Sequence, residues 1–178
     1  MEFDYIVVGA GSSGCVVANR LSANKNVSVA LIEAGSRDSS PWIHIPIGYF
    51  RTIKNPSVNW MYKTEEDPGL NGRSINWPRG KTLGGTSSIN GLLYVRGQQQ
   101  DYDGWAQRGN SGWCWKEVLP YFKKSENWKG PHSTNRGSSG PLTINESEST
   151  WPIVDAWIKA AQNGGFSYNS DYNSGNQE

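Results

Sequence analysis

Apolar and polar positions change period along the chain, and those changes mark its elements. Tyr5-Ile6-Val7-Val8 is an unbroken apolar run rich in β-branched residues, the pattern of a strand buried on both faces. Val16, Val17, Arg20 and Leu21 continue at helical spacing, and Val27 to Ile32 reads as a second buried strand that ends on Glu33. The opening therefore predicts strand, tight turn, helix, strand. After Gly35 the pattern turns irregular. Ser36 to Ser40 is a polar loop, and Pro41 to Pro46 is apolar but bracketed by prolines, which predicts an extended or turn segment. Gly48 to Ile53 suits a short helix. Asn59 to Thr64 alternates like a half-buried strand, with Arg73 to Trp77 as the returning arm of a hairpin.

Further along, Gln98 to Gly112 reads as a surface turn or short helix around Tyr102 and Trp105. Trp115, Val118, Leu119 and Phe122 fall on one face of a helix that Pro120 should bend. Asn127 to Gly140 is polar, and Pro141 to Ile144 is a short strand candidate. Thr150 can cap a last helix with Pro152 in its first turn and Gly164 or Gly165 at its end. Its stripe of Ile153, Val154, Trp157, Ile158 and Ala161 predicts a core-facing side.

The first strand runs straight into Gly9-Ala10-Gly11-Ser12-Ser13-Gly14, which matches G-x-G-x-x-G. Gly9 permits the sharp turn. Gly11 lets a pyrophosphate approach the backbone, and Gly14 lets the helix pack near the sheet. The helix N-terminus then offers free N–H groups and the positive dipole end to the phosphates. Glu33 lies about 20 residues on, where an acid accepts a hydrogen bond from a ribose hydroxyl and repels a 2′-phosphate. This context predicts an adenine dinucleotide and argues against NADP, but it does not separate FAD from NAD. Cys15, inside the helix, is expected to pack as a small apolar residue.

Composition narrows the rest. Seventeen Lys and Arg against 16 Asp and Glu give a net charge of +1, with no electrostatic case for nucleic acid or an anionic membrane. Two cysteines suggest neither a disulfide framework nor a metal site. No apolar run approaches the ~18 residues of a membrane span, and with the first strand starting at Tyr5 no signal peptide is expected. The expectation is a cytoplasmic protein, free or peripheral to the inner membrane. With 21 glycines punctuating long irregular stretches, and no βαβ units after the first, the doubly wound sheet reads as incomplete.

The second informative stretch is Pro78 to Gly97, PRGKTLGGTSSINGLLYVRG. Gly80-Lys81-Thr82 imitates the end of a phosphate-binding loop, but that motif needs glycine where Ile75 stands. Gly84 to Ser88 is rich in backbone N–H groups and hydroxyls, suited to an anion or a planar ring, although composition alone also allows an ordinary loop. Together with VVGAGSSG and LIEAG, the run from Pro78 to Gly109 resembles the glucose–methanol–choline (GMC) oxidoreductases, most of all the choline dehydrogenase-like alcohol dehydrogenases. The family's first signature is met from Gly80 to Asp103. The segments Asn59 to Tyr62 and Gly112 to Phe122 are also similar, so the likeness covers essentially the whole chain.

The resemblance implies an α/β fold: a Rossmann-like FAD-binding βαβ start with long irregular insertions. Residues 1–145 would be the N-terminal part of the FAD-binding domain, and 146–178 the beginning of a substrate-binding domain. It implies that Gly9, Gly11, Ser12, Ser13 and Gly14 hold the pyrophosphate, and that Glu33 with Ala34 meets the adenosine ribose. Arg79, Gly84, Gly85, Ser87, Asn90, Gly91 and Leu93 would run along the pyrophosphate, ribityl chain and flavin. Some members attach the flavin through a histidine near the position of Ile89, so FAD is expected to be non-covalent here. The family's catalytic histidine falls beyond residue 178. Neither His44 nor His132 matches it, so no catalytic residue is assigned. The complete protein is expected to oxidise an alcohol CH–OH by hydride transfer to FAD. This chain alone is expected to be inactive and to need its C-terminal remainder or a complementary chain. The alternative is a non-catalytic module that binds FAD or a partner. An NAD-dependent dehydrogenase would leave Gly80 to Asp103 unexplained.

Overall fold

The computed structural model describes residues 2–146, 151–175 and 177, which form two compact units, Met1–Leu93 and Tyr94–Glu178. The first unit opens with β1 (Tyr5–Val8), α1 (Ser12–Leu21) and β2 (Val29–Ile32). β1 and β2 pair in parallel, Tyr5 opposite Val29 and Val8 opposite Ile32, as two strands joined through a helix must. The predicted start of the second strand at Val27 is two residues early, because Val27 closes a turn onto Asn24 instead.

The two strands are apolar but not buried as predicted. Ile6 is 62% and Val8 80% exposed. Two strands and one helix cannot cover both faces of a sheet, so runs suited to a sheet interior stand open. Cys15, expected inside α1, is exposed as well.

Pro41–His44, expected to be an extended or turn segment, folds as one helical turn, α2. Pro41 sits at the first helical position, where its missing N–H costs nothing. A 3-10 turn at Pro46–Gly48 leads into α3 (Tyr49–Thr52). The expected hairpin forms with a short ladder, β3 (Tyr62–Lys63) antiparallel to β4 (Asn76–Trp77). Its loop carries a 3-10 turn at Pro68–Leu70, with the Asp67 side chain accepting the Gly69 N–H at 2.8 Å.

In the second unit, α4 (Gln99–Gln107) and α5 (Trp115–Ser125) each begin with a capping box, Gln98 with Asp101 and Cys114 with Glu117. Tyr102 joins the two helices edge-on to Trp105 and Phe122, with centroids 5.4 and 5.7 Å away. α5 continues through Pro120. β5 (Glu126–Trp128) pairs in parallel with β6 (Leu142–Ile144). The last helix, α6 (Pro152–Asn163), ends at Gly164 as predicted, while the proposed cap Thr150 lies outside the described residues. Its stripe does not face a core here, since Ile153 and Trp157 are more than two-thirds exposed.

The interior of the second unit is polar. The fully buried carboxylate of Glu126 accepts from Arg96 Nη2 at 2.7 Å, Arg136 Nη1 at 2.6 Å and the Gly137 N–H at 2.9 Å. Arg136 Nε also reaches Asp171 at 3.0 Å, and its guanidinium lies 3.9 Å from the Trp128 ring centre. Asn173 exchanges hydrogen bonds with the backbone of Arg96 and Tyr94, both at 2.9 Å.

Candidate functional site

The turn after β1 is held from both ends. The Gly9 N–H donates to the Ile32 carbonyl at 2.7 Å, and the Ala10 N–H to Glu33 Oε2 at 2.8 Å. Gly9 has φ +92°, a conformation that side-chain-bearing residues rarely adopt. A Cβ at Gly14 would overlap the Gly9 carbonyl oxygen, so glycine there lets the helix approach the turn. A Cβ at Gly11 would meet only the Gly85 Cα, 4.0 Å away. No side chain caps α1, and its first turn carries no acid. Its leading N–H groups and positive dipole end are therefore available to an anion.

The second glycine-rich stretch is stitched onto this turn. The Gly84 N–H donates to the Ala10 carbonyl at 2.8 Å, and Gly84 pairs with Gly11 in an isolated bridge. Thr82 is fully buried and donates its hydroxyl to the Ser36 carbonyl at 2.9 Å. Gly85–Ser88 forms a 3-10 turn, inside which Ser87 Oγ donates to the Gly84 carbonyl at 2.6 Å.

Between these parts lies a cleft of about 480 Å³. Six of the residues expected at a site line it: Gly9, Gly11, Glu33, Ala34, Arg79 and Gly85. Ser12, Ser13 and Gly14 form the first turn of α1 beside it, and Gly84 joins its two glycine stretches. Asn90, Gly91 and Leu93 do not line it. Asn90 Oδ1 is occupied by the Leu92 N–H at 2.9 Å, and Leu93 is 86% exposed. Ile89, by contrast, is buried.

The cleft carries charge at two points. Glu33 spends one lone pair of each oxygen on backbone, Oε2 on Ala10 and Oε1 on Gly35 at 2.9 Å, which leaves acceptor capacity on both. Arg79 is exposed, its Nη1 bonded to the Pro78 carbonyl at 2.7 Å and its guanidinium 5.1 Å from the Trp77 ring centre.

Sequence reasoning assigned no site role to Trp60, Tyr62 and Gly80, which also line the cleft with Thr86 of the Gly84 to Ser88 run. Trp60 and Tyr62 stack with centroids 5.8 Å apart and planes 4° from parallel, and Lys81 Nζ lies 4.6 Å from the Trp60 ring centre. Their spacing of two residues was the available signal, since in an extended segment it would put both on one side, although here Met61 between them is left-handed. His44 is tied at Nε2 to the Asp38 carbonyl at 2.6 Å, and His132 is exposed. Among the described residues no group of His, Cys, Asp and Glu could hold a metal, and no helix is long and apolar enough to cross a membrane.

The chain is similar to known proteins over nearly its whole length. An alcohol dehydrogenase [acceptor] of Pseudomonas putida is 44% identical over 99% of this chain and 32% of its own length. An oxygen-dependent choline dehydrogenase of Photobacterium profundum is 43% identical over 99% of this chain and 31% of its own. The chain thus spans about a third of the length of the curated relatives it matches. The crystal structure of pyridoxine 4-oxidase from Mesorbium loti superposes with a TM-score of 0.90 at 34% identity, covering 98% of this chain and 34% of that one. The GMC oxidoreductase family profile matches residues 3–178, and the chain belongs to that family, in its N-terminal region.

Proposed function

We propose that this chain supplies the ADP and pyrophosphate cradle, and one wall of the flavin site, of a GMC flavoprotein that oxidises an alcohol CH–OH to C=O. GMC oxidoreductases are FAD flavoproteins. The observation that carries the reading is the cleft itself. Two unbranched backbone positions, Gly9 and Gly11, open into it beside an uncapped helix N-terminus, and an acid at the end of β2 shares its lining. Such a site suits a dinucleotide: phosphates at the helix end, a ribose hydroxyl on Glu33. The α/β start is thereby read as Rossmann-like and as part of a larger sheet.

When bound, FAD accepts the hydride and so carries the redox chemistry. This chain's residues bind and orient. The N–H groups of the first turn of α1 face the phosphates, and Arg79 adds positive charge. Asn90, Gly91 and Leu93 are proposed to continue toward the flavin ring. With Ile89 near the position where some members carry the attaching histidine, the attachment is read as non-covalent. No base for the substrate hydroxyl is assigned here, so the chain alone does not turn over. The functional division at residues 145 and 146 follows the family and stands apart from the geometric units. An alcohol of unspecified class and choline are the substrates that the relatives' names suggest, in a cytoplasmic protein.

A second reading is favoured by the uncovered apolar residues of β1, β2 and α6. In that reading the chain is a non-catalytic FAD- or partner-binding module whose open faces another chain covers.

The test is the visible spectrum of the purified, FAD-supplemented chain after desalting, followed by acid precipitation. Flavin bands that move to the supernatant are expected. Bands retained in the pellet would show covalent attachment and overturn the inference from Ile89. A folded but colourless chain would overturn the claim that this segment holds FAD alone.

A further inference from the structure

Trp60, Tyr62 and Arg79 share the lining of the cleft, yet they sit on irregular backbone. Met61, between the two rings, has φ +58°, the left-handed region that side-chain-bearing residues rarely adopt. Such a conformation persists only where its surroundings impose it. The imposing group is the side chain of Asn59, which is 2% exposed. Its Oδ1 accepts the N–H groups of Met61 and Arg79, each at 3.0 Å, and its Nδ2 donates to the Ile53 carbonyl at 2.7 Å. The Trp60 N–H closes the arrangement on the Arg79 carbonyl at 2.9 Å.

One buried amide therefore ties three backbone segments: the end of α3, the aromatic pair and the arginine. We propose that Asn59 is a positioning residue, whose side chain holds Trp60, Tyr62 and Arg79 as one wall of the cleft and so sets its affinity for FAD, a claim that rests on the cofactor reading above. The choice of asparagine follows from the bonds. Two N–H groups need an acceptor and one carbonyl needs a donor, on a side chain too short to reach further. Aspartate keeps both acceptor contacts, and its second oxygen faces the Ile53 carbonyl, where burial favours the protonated form that can donate to it. Alanine removes the shared acceptor of both N–H groups.

The experiment compares the full chain with N59A and N59D. Amide hydrogen exchange is read at Met61 and Arg79 by NMR, and FAD binding by quenching of free flavin fluorescence. N59A is expected to speed exchange at both amides at least about tenfold and to weaken FAD binding about tenfold, while N59D stays within about threefold of wild type in both. Unchanged exchange in N59A overturns the proposal. So does faster exchange with unchanged FAD affinity, because Asn59 is then a structural residue only. Failure of N59D to restore either readout also overturns it. A wild-type chain that takes up no FAD overturns the cofactor reading, and with it the affinity claim, while the exchange contrast still judges the clamp. Should N59A fail to fold by far-UV circular dichroism, N59D decides: loss of protection at both amides sinks the proposal, and its retention supports it.

Discussion

Glu33 accepts the Ala10 N–H at 2.8 Å, so the acid at the end of β2 holds the glycine turn at the end of β1. Ala10 is fully buried, and its N–H would otherwise lack a partner. The same carboxylate accepts the Gly35 N–H. Glu33 thus has a structural task that is separate from its proposed contact with a ribose. The two tasks respond differently to substitution. Glu33→Ala removes both backbone contacts and should lower stability by about 1–3 kcal/mol, the cost of buried groups left unpaired. Glu33→Gln keeps one acceptor for Ala10 and should lose less than half as much stability while weakening FAD binding about tenfold. Thermal melts beside flavin titrations read both. Equal FAD affinity in wild type and Glu33→Gln would remove the ribose contact from the account.

Gly11 and Gly14 belong to one motif but fail differently. A Cβ at Gly14 meets the Gly9 carbonyl oxygen, and backbone cannot step aside cheaply. Gly14→Ala should cost about 1–3 kcal/mol, the usual range for overpacking. Gly11 has φ −77° and ψ −173°, which alanine adopts freely, and its Cβ would meet only the Gly85 Cα, which lines the same cleft. Gly11→Ala should therefore change stability by no more than about 0.5 kcal/mol and still reduce FAD binding at least about tenfold by blocking the phosphate approach. Denaturant unfolding and flavin titration of both variants make the comparison. A Gly11→Ala chain that binds FAD normally would place the phosphates elsewhere.

The contrast between those glycines and Asn59 shows what could be read in the chain. The glycine motif, the acid 19 residues beyond Gly14, the hairpin ending at Trp77 and the helix ending at Gly164 are local patterns, and local geometry fixes them. Asn59 and Thr82 act on backbone groups far along the chain, Asn59 on Arg79 and Thr82 on Ser36. No period announces such a contact. The strand runs were recognised as strands, but their burial depends on neighbours that two strands do not supply.

Glu126 was equally invisible, a lone acid where α5 gives way to β5. Two guanidinium groups and a backbone N–H surround it with no exposure to water. Breaking a buried ion pair leaves uncompensated charge, here on Arg96, while Arg136 keeps its bond to Asp171. Glu126→Ala should therefore cost about 3–5 kcal/mol. Exposed Glu65→Ala, the control, should stay within about 0.5 kcal/mol. Urea unfolding followed by tryptophan fluorescence gives both values. A loss below about 1 kcal/mol for Glu126→Ala would mean that the arginines find other partners.

Acid should loosen the start of the β1–β2 pair. Asp4 Oδ2 accepts from Ser28 Oγ and from the Ser28 N–H, each at 2.7 Å, just ahead of the Tyr5–Val29 register. These bonds, the hydroxyl's first, hold the Asp4 carboxyl below the usual aspartate value. Its folded-state pKa is thus lower than its unfolded one. The stabilisation is fully present above the ordinary aspartate value and is lost as pH falls through the lowered folded value. Asp4 is fully exposed, so the effect is small. It is best read on the residue itself, by following the Asp4 carboxyl carbon by NMR from about pH 6 to pH 2. Ser28→Ala removes the hydroxyl donor and should move that titration upward, toward the ordinary value. Asp4→Asn should flatten the acid side of the melting profile relative to wild type. An unmoved Asp4 titration in Ser28→Ala would show that the backbone N–H alone sets the shift.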